Sequence, residues 1–312
     1  MTRDKLSGSQ LKINASIVIV TKDRKDQLRR ALGSAIQQDG PIEVMVLDDG
    51  SSDGTVEMVR TEFPRVMLYE TKISLGCIAQ RNRTASLCSS EIIISIDDDA
   101  EFSTPKVVEQ TLRAFSHPRI VAIAIPYIEP HKSNQKLQIA PSEDAIWITD
   151  SFRGTAYAMR RDVFLKVGWY RDKLVHQGEE MDLCIRLLNL GLIVRLGSGD
   201  TIVHHEYSAR DWRRSDFYGR RNDILFAVAN VPMPYFPVHL LGTTLNGVCF
   251  SFKVRRAVSM IRGLVSGYLT GMLEWERKPV SIDSYRLHRM LKKRGPKMLK
   301  EVEPRLESIR ID

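Results

Sequence analysis

Cysteine is scarce in this sequence, and its spacing fits neither a metal site nor a disulfide framework. The 312 residues contain four cysteines, and none forms a C-x-x-C pair or stands near clustered histidines. We therefore expect no structural zinc site and no disulfide scaffold, and we expect a reducing, cytoplasmic compartment.

Long apolar runs are also lacking. The first 20 residues have no charged start followed by an apolar stretch, so we expect no signal peptide. No segment reaches 18 uninterrupted apolar residues, and the best candidate, residues 257–273, contains Arg262 and several glycines. We therefore expect no membrane-spanning helix.

Most of the chain carries no net charge. The formal net charge is +8, and residues 251–312 carry 15 Lys and Arg against 7 Asp and Glu, so the first 250 residues are neutral. A neutral core argues against a nucleic-acid partner, and the excess describes a basic C-terminal extension.

Short apolar, β-rich runs alternate with helical patterns through the first 126 residues. The alternation predicts an α/β fold with a mostly parallel sheet flanked by helices. From residue 126 it weakens, and residues 131–144 are predicted as a loop. We expect a short N-terminal extension at 1–13, one domain at 14–230 and a helical, basic C-terminal extension at 231–312.

Acidic residues follow one of the predicted strands. The run EIIISID leads directly into Asp97, Asp98 and Asp99. Clustered carboxylates repel each other unless a cation lies between them, and their oxygens suit Mg²⁺ or Mn²⁺. A solvated acidic turn is the alternative. Because ligands bind beyond the carboxyl ends of such strands, we favour a metal site that holds substrate phosphates.

Seven segments together resemble the family 2 glycosyltransferases. They are SIVIVTKDR, EVMVLDDGSSDGT, LGCIAQRN, ISIDDDAE, FRGTAYAMRRDVFLKVGW, GEEMDLCIRL and IVHHEYS. Their order and spacing over about residues 14–210 are similar to those of the family. The resemblance implies a GT-A fold, the nucleotide-sugar-binding fold of these enzymes, with a DXD motif and Mg²⁺ or Mn²⁺ as cofactor.

The resemblance also implies roles for individual residues. Residues expected to bind the nucleotide sugar are Thr21, Asp23, Asp49, Arg81, Asn82, Asp97, Asp98 and Gly154. Among these, Thr21, Asp23 and Asp49 are assigned to the base, Asp98 to the ribose, and Gly154 to the acceptor-side wall.

Metal ligands are implied at Asp99 and Asp97, with a histidine from a later strand. Adjacent strand residues face opposite sides, so only one of His204 and His205 can reach the site. We assign His204, with His205 as the alternative.

The catalytic base is expected in the pair Glu179 and Glu180. The family usually has Glu-Asp here, and this chain has Glu-Glu, so either residue is a candidate and Glu180 is preferred. The other interpretation is a helix N-terminus enriched in acids, which the helix dipole favours.

These assignments predict an inverting glycosyltransferase. It would transfer a sugar from a nucleotide-diphosphate sugar to a hydroxyl of a glycan, lipid-linked or small-molecule acceptor, in polysaccharide, glycolipid or cell-surface glycan synthesis. The alternatives are a sugar-nucleotide nucleotidyltransferase and a non-catalytic nucleotide- or glycan-binding relative. VTKDRKDQL has no glycine for a triphosphate loop, which counts against the nucleotidyltransferase.

The C-terminal extension leaves two interpretations open. Its apolar stripe, with helical spacing, comprises Val258, Ile261, Val265, Tyr268, Met272 and Trp275. The stripe is expected to pack against the domain or a second subunit in a homo-oligomer. The alternative is an interfacial helix that, with the basic run KKRGPKMLK, holds the enzyme peripherally on the inner face of the membrane.

Overall fold

A computed structural model describes residues 14–205, 212–274 and 276–309. Strands and helices alternate through its first part, and helices dominate its last third. The elements in chain order are β1 (Ala15–Thr21), α1 (Lys25–Ala35), β2 (Ile42–Asp48), α2 (Thr55–Glu62), β3 (Met67–Glu70), α3 (Cys77–Leu87), β4 (Ile92–Asp97), β5 (Ala100–Phe102), α4 (Val107–Arg113), β6 (Ile120–Ala124), β7 (Tyr127–Glu129), β8 (Ser133–Leu137), β9 (Trp147–Thr149), β10 (Ala156–Arg160), α5 (Arg161–Lys166), a 3₁₀ turn (Asp172–Leu174), α6 (Glu179–Asn189), β11 (Ile193–Leu196), β12 (Ile202–His204), α7 (Trp212–Asn230), α8 (Tyr235–Lys253), α9 (Ala257–Leu273), α10 (Ile282–Arg294), β13 (Lys297–Met298) and α11 (Leu299–Ser308).

The main sheet has nine described strands and is mixed. Its order is β13-β9-β11-β6-β10-β4-β1-β2-β3. Strands β4, β1, β2 and β3 are parallel, as the alternation predicted. The mostly parallel prediction is wrong at β10, which runs antiparallel to both β4 and β6, although β11 is again parallel to β6. No described helix lies between β6 and β10, and only parallel neighbours require a crossover connection.

The central strands are buried on both faces. In β1, Ile17 and Ile19 join one apolar cluster and Val18 joins another on the opposite side of the sheet. In β4, Ile94 and Ile93 divide between the same two clusters. Each such side chain contributes about 1.5–3 kcal/mol by leaving water. This two-sided burial explains why both strands are continuous apolar runs.

The strand register brings the polar strand ends together. Along β1, Thr21 pairs with Asp48 of β2, and Val20 pairs with Asp97 of β4. The carboxyl ends of three neighbouring strands therefore form one edge of the sheet.

A second, four-stranded sheet completes this edge, with the order β5-β12-β7-β8. The antiparallel pairing of β12 with β5 sets His204 opposite Ala100, directly after the acidic run. The strand β8 falls in the segment predicted as a loop, so that prediction is wrong at 133–137. Its side chains are mostly exposed and polar, and backbone pairing with β7 is what makes it a strand.

The C-terminal extension folds back onto the domain. Strand β13 pairs with the edge strand β9, with Met298 opposite Trp147. Leu287 and Leu291 of α10 and Leu306 of α11 enter the apolar cluster beneath the main sheet. The basic run KKRGPKMLK therefore ends α10, forms β13 and begins α11, as an edge of the folded domain.

The predicted apolar stripe of α9 faces outward. Val258, Val265 and Met272 are 74%, 54% and 72% exposed. The expectation that this stripe packs against the domain is therefore wrong, and its other form, packing against a second subunit, stays a prediction. The helix contacts α7 through a row of glycines, Gly263, Gly267 and Gly271. Trp275 lies outside the described residues. None of the described helices combines the length and apolar character needed to cross a membrane.

Candidate active site

A cavity of about 1130 Å³ lies at the polar edge of the sheet. Nine of the predicted site residues line it: Thr21, Asp49, Arg81, Asp97, Asp98, Gly154, Glu179, Glu180 and His204. They come from five separate elements and the loops between them, so the fold brings together residues up to 183 positions apart in the chain.

Asp97, Asp99 and His204 form a cluster suited to a metal ion. One ligand atom from each of these residues lies within 4.8 Å of the others. His204 Nε2 is 3.3 Å from Asp99 Oδ1 and 4.0 Å from Asp97 Oδ2. Two carboxylates and an imidazole are a donor set that Mn²⁺ accepts, and carboxylates suit Mg²⁺. The residues present therefore fit a divalent ion.

His204 is oriented by a further carboxylate. Its Nδ1 is 3.1 Å from Glu129 Oε1 on β7, which leaves Nε2 directed at the aspartates. Burial lowers its pKa, but the hydrogen bond to Asp99 and the charges of Asp97 and Asp99 outweigh burial and raise the pKa to about 9. A metal ion must displace this proton to bind the imidazole.

The neighbouring His205 turns away from the cluster. Its Nε2 is 2.6 Å from Glu101 Oε1, and its backbone N–H donates to Asp99 O. Adjacent strand residues face opposite sides, so the pairing of β12 with β5 directs His204 to the cavity.

Arg24 provides positive charge to the acidic run. Its Nη1 donates to Asp98 Oδ1 at 2.8 Å and to Asp99 Oδ2 at 3.0 Å. Asp98 also accepts a hydrogen bond from Thr21 Oγ1 at 2.8 Å. Burial of Asp98 raises its pKa to about 7, against the lowering effect of Arg24. Asp98 is thus held by protein groups, whereas the metal cluster uses its two neighbours.

Arg81 connects the acidic strand end to the glutamate pair. Its Nη2 donates to Asp97 Oδ1 at 2.6 Å and to Gly154 O at 3.1 Å, and its Nη1 lies 3.5 Å from Glu179 Oε1. Arg81 is 6% exposed, so these contacts lie in a region from which water is largely excluded. A β-carbon at Gly154 would lie 2.6 Å from both Arg81 Nη1 and Glu180 Oε1.

Glu179 and Glu180 begin α6 after Gly178, whose φ of +87° favours glycine. Burial, followed by repulsion from Glu180, raises the pKa of Glu179. Burial also raises the pKa of Glu180, although Arg81 lowers it. Within the described chain, Glu179 Oε2 has no hydrogen-bond partner. Buried carboxylates with raised pKa values in a cavity suit proton transfer better than a surface helix cap.

The third acid of the helix, Asp182, has a structural role. It is 2% exposed and bonds to Arg171, Arg186 and Asn230. The helix-dipole interpretation of the acidic cluster therefore fits Asp182 better than the two glutamates.

Asp49 lines the cavity but is fully engaged with its own loop. Its carboxylate accepts from Leu75 N, Gly76 N, Ser74 Oγ and Gln80 Nε2. These four bonds occupy its acceptor positions. Asp49 therefore shapes the wall of the cavity by holding residues 74–76, and its contact with a base stays a prediction.

Three predicted residues, Asp23, Asn82 and Asp99, are not among those that line the cavity, and Asp99 is 6% exposed beside Asp97 and Asp98, which do line it. Asp23 is exposed at φ +51°, and its Oδ1 accepts from Ser52 N. Asn82 is buried behind the wall, where it donates to Tyr170 O at 2.8 Å and bonds to Asp172. Asn82 therefore fixes the segment between α5 and α6.

Several lining residues were not assigned from the sequence. They include Arg24, Cys77, Glu129, Arg153, His176, Arg214, Arg220 and Asp223. Arg214 and Arg220 come from the first half of α7. Glu129 lies in a segment without a motif, so only the fold identifies it, whereas Arg153 lies within the segment FRGTAYAMRRDVFLKVGW, beside Gly154.

The mixed sheet, the acidic strand end and the facing glutamates define a protein of the GT-A glycosyltransferase class. The sequence profile of glycosyl transferase family 2 matches residues 16–168, about half of the chain. The predicted resemblance is confirmed, and the family favours a glycosyltransferase over the nucleotidyltransferase alternative.

Relatives and solved structures agree with this class. Pre-mycofactocin glycosyltransferase of Mycobacterium tuberculosis (strain ATCC 25618 / H37Rv) is 25% identical over 229 residues, which cover 66% of this chain and 46% of the relative. The chain thus spans about half the length of the mycobacterial relatives it matches.

Two solved structures show the same fold at low sequence identity. The mannosyltransferase PcManGT from Pyrobaculum calidifontis, in complex with GDP-Man and Mn²⁺, superposes with a TM-score of 0.58 and 16% identity, covering 86% of this chain and 89% of that one. S. aureus TarS 1–349 in complex with UDP-GlcNAc superposes with a TM-score of 0.62 and 14% sequence identity. The match covers 96% of this chain and 87% of that one.

Proposed function

We propose that this protein is a metal-dependent, inverting glycosyltransferase that moves a sugar from a nucleotide-diphosphate sugar to an acceptor hydroxyl. The observation that supports this most is that Asp97 and His204 of the proposed metal cluster line the same cavity as the Glu179 and Glu180 pair, with Asp99 buried beside them. The solved structures described with GDP-Man and Mn²⁺ or with UDP-GlcNAc are consistent with such a donor.

The metal cluster serves the leaving group. A divalent ion at Asp97, Asp99 and His204 would supply positive charge where the diphosphate gains negative charge. Arg214 and Arg220 line the same cavity, and a guanidinium matches phosphate oxygens in a two-point contact. We assign Thr21 and Asp98 to the nucleoside side of the donor.

The glutamate pair serves the acceptor. Glu180, our preferred base, takes the proton of the acceptor hydroxyl while that oxygen bonds to the anomeric carbon. The bond from this carbon to the diphosphate oxygen breaks in the same displacement, and the diphosphate leaves with the electron pair. One displacement inverts the anomeric configuration. Glu179 remains the alternative base, although Arg81 lies beside it.

The reaction class defined by this site serves glycan, glycolipid or polysaccharide synthesis. A cytoplasmic location is proposed because the cysteines, Cys77, Cys88, Cys184 and Cys249, are all free thiols.

A thermal-shift screen of nucleoside diphosphates, each with and without Mn²⁺, tests the donor side. Ligands that bind only the folded chain raise its melting temperature, and at 100 times the dissociation constant the stabilisation is about 2.7 kcal/mol. We expect one or two bases to give a shift only with Mn²⁺. The nucleotide sugar of that base then serves as donor, and NMR of the product gives its anomeric configuration. Equal shifts with and without metal, or a retained configuration, would contradict the proposal.

A further inference from the structure

Exposed apolar side chains are concentrated in one part of the molecule. Twelve of the seventeen large apolar residues that are exposed in the described chain lie between Met233 and Leu273. On α8 they include Val238, Leu241, Leu245 and Phe252, and on α9 they include Val258, Val265, Leu269 and Met272. Monomeric proteins rarely leave so many large apolar side chains together in water unless the surface binds something.

The two helices form a hairpin whose inner sides are already used. Helix α8 buries only Gly247 and Ser251, and Gly247 lies against Leu264 of α9. Helix α9 buries its glycine row against α7. The exposed apolar residues therefore occupy the outer sides of the hairpin, and no other described element covers them.

The charge of this hairpin has one sign. Residues 231–273 contain no Asp or Glu and four basic residues. Arg256 pairs with Asp216 of α7. The other three, Lys253, Arg255 and Arg262, are exposed and have no ion-pair partner within the described part of the chain. Arg262 lies one turn from both Val258 and Val265, so its charge borders the apolar face.

We propose that the α8–α9 hairpin, residues 235–273, docks the enzyme on an anionic lipid surface. An apolar face bordered by unpaired cations and free of carboxylates matches acyl chains below a layer of negative headgroups. A second copy of the chain is a poorer partner, because a symmetric contact through this face would set the same three cations against each other. The helices lie on the surface, since neither can cross a membrane.

Docking would bring the cavity close to the lipid. Helix α7 lies against the hairpin through the glycine row, and Arg220 and Asn222 of the same helix line the cavity. One helix diameter, about 10 Å, therefore separates the docking face from the cavity wall. If the proposed transferase function holds, this placement favours an acceptor carried by a lipid. Docking itself does not depend on that function.

Sedimentation with vesicles tests the docking directly, without donor or acceptor. The full-length chain is mixed with vesicles of phosphatidylcholine alone, or of phosphatidylcholine with phosphatidylglycerol. We expect binding to the anionic vesicles, weakened when the salt is raised to about 0.5 M. Absence of binding to anionic vesicles, or equal binding to both compositions, would overturn the proposal.

Matched variants identify the face. Val258→Ser with Leu269→Ser should weaken partitioning into anionic vesicles at least about tenfold, because both side chains would enter the interface. Ile36→Ser with Ile282→Ser replaces two exposed apolar residues outside the hairpin and should leave partitioning unchanged. Equal losses in the two pairs would overturn the proposal.

Charge variants test the headgroup contact. Lys253→Gln with Arg262→Gln should weaken binding about fivefold for each residue. Arg113→Gln with Lys166→Gln, on exposed positions of α4 and α5, is the matched control.

Light scattering after size-exclusion chromatography tests the other candidate partner of this face, a second copy of the chain. A dimer that Val258→Ser with Leu269→Ser dissociates would show that a second copy covers the face, and would overturn lipid docking.

Discussion

Gly154→Ala should reduce catalysis strongly while leaving the fold intact. The residue is not in the left-handed backbone region, so alanine brings no backbone strain. Its new β-carbon would lie 2.6 Å from Arg81 Nη1 and from Glu180 Oε1, about 0.8 Å short of the 3.4 Å at which ordinary contact begins. Arg81 is also fixed by Asp97 at 2.6 Å, so the guanidinium and the carboxylate must both move.

The size of the effect follows from the size of the displacement. A misplacement of about 1 Å among reacting groups costs roughly 100-fold in rate, or about 2.7 kcal/mol of transition-state stabilisation. We therefore expect the turnover of Gly154→Ala to fall about 100-fold. Binding of a nucleoside diphosphate should change far less, because Thr21 and Asp98 hold their positions without Gly154.

The assay measures nucleoside diphosphate release from the nucleotide sugar that the thermal-shift screen selects, with calorimetry for binding and a melting curve for folding. Gly33→Ala is the control, since a β-carbon there meets nothing within 4 Å. It should keep full activity and gain up to about 1 kcal/mol of stability as a helical alanine. A rate of Gly154→Ala within about threefold of the unchanged chain would refute the assignment of Arg81 and Glu180 to the reaction.

Three further predictions concern charge. Asp99→Asn should weaken Mn²⁺-dependent binding of a nucleoside diphosphate at least about tenfold by calorimetry, and unchanged affinity would place the metal elsewhere. Glu180→Gln should slow transfer by about 10²–10⁴-fold with donor binding retained, and Glu179→Gln should slow it less; the reverse order would make Glu179 the base. Burial lowers the pKa of His288 from 6.5 to about 3, so the folded chain holds this histidine neutral at a pH where the unfolded chain protonates it. The contribution of neutral His288 to the free energy of unfolding is therefore complete above pH 6.5 and is lost as the pH falls towards 3. His288→Leu should therefore flatten the unfolding free energy between pH 6.5 and pH 4 by about 1.4 kcal/mol per pH unit, measured with denaturant.

The sheet edge was predictable because its signals are local. Apolar runs define β1, β2 and β4, and the polar residues after them fall at the carboxyl ends of parallel neighbours. The alternation of side chains along a strand shows that only one of His204 and His205 can reach the site, and the family resemblance selected His204. The pairing of β12 with β5 agrees with this choice.

Other parts of the site depend on contacts between distant segments. Glu129 reaches His204 only because β7 and β12 are neighbours. Strand β13 joins β9 from about 150 residues further along the chain. No periodicity in the sequence carries this information, since each contact is decided by the tertiary fold.

The error in α9 has a specific physical origin. Helical spacing shows that apolar residues share a side, but it does not show which side is buried. In α9 the glycine row competes with the apolar stripe for the contact with α7. Glycine permits the closest approach of two backbones, and this contact places Val258, Val265 and Met272 in solvent. A row of glycines four residues apart is the signal that would have reversed the prediction.

Helix α7 joins the proposed docking face to the cavity. On one side Arg220 lines the cavity. On another, the backbone at Phe217 and Arg221 approaches Gly263 and Gly267 so closely that an added β-carbon would lie under 3.0 Å from a carbonyl oxygen. Because α9 has no side chain at these glycines to separate the two helices, α9 cannot shift towards α7 without displacing it. A lipid surface that holds the hairpin would therefore also fix the wall of the cavity that carries Arg220, so docking and the position of this arginine, which we propose to contact the diphosphate, would be coupled through one rigid contact.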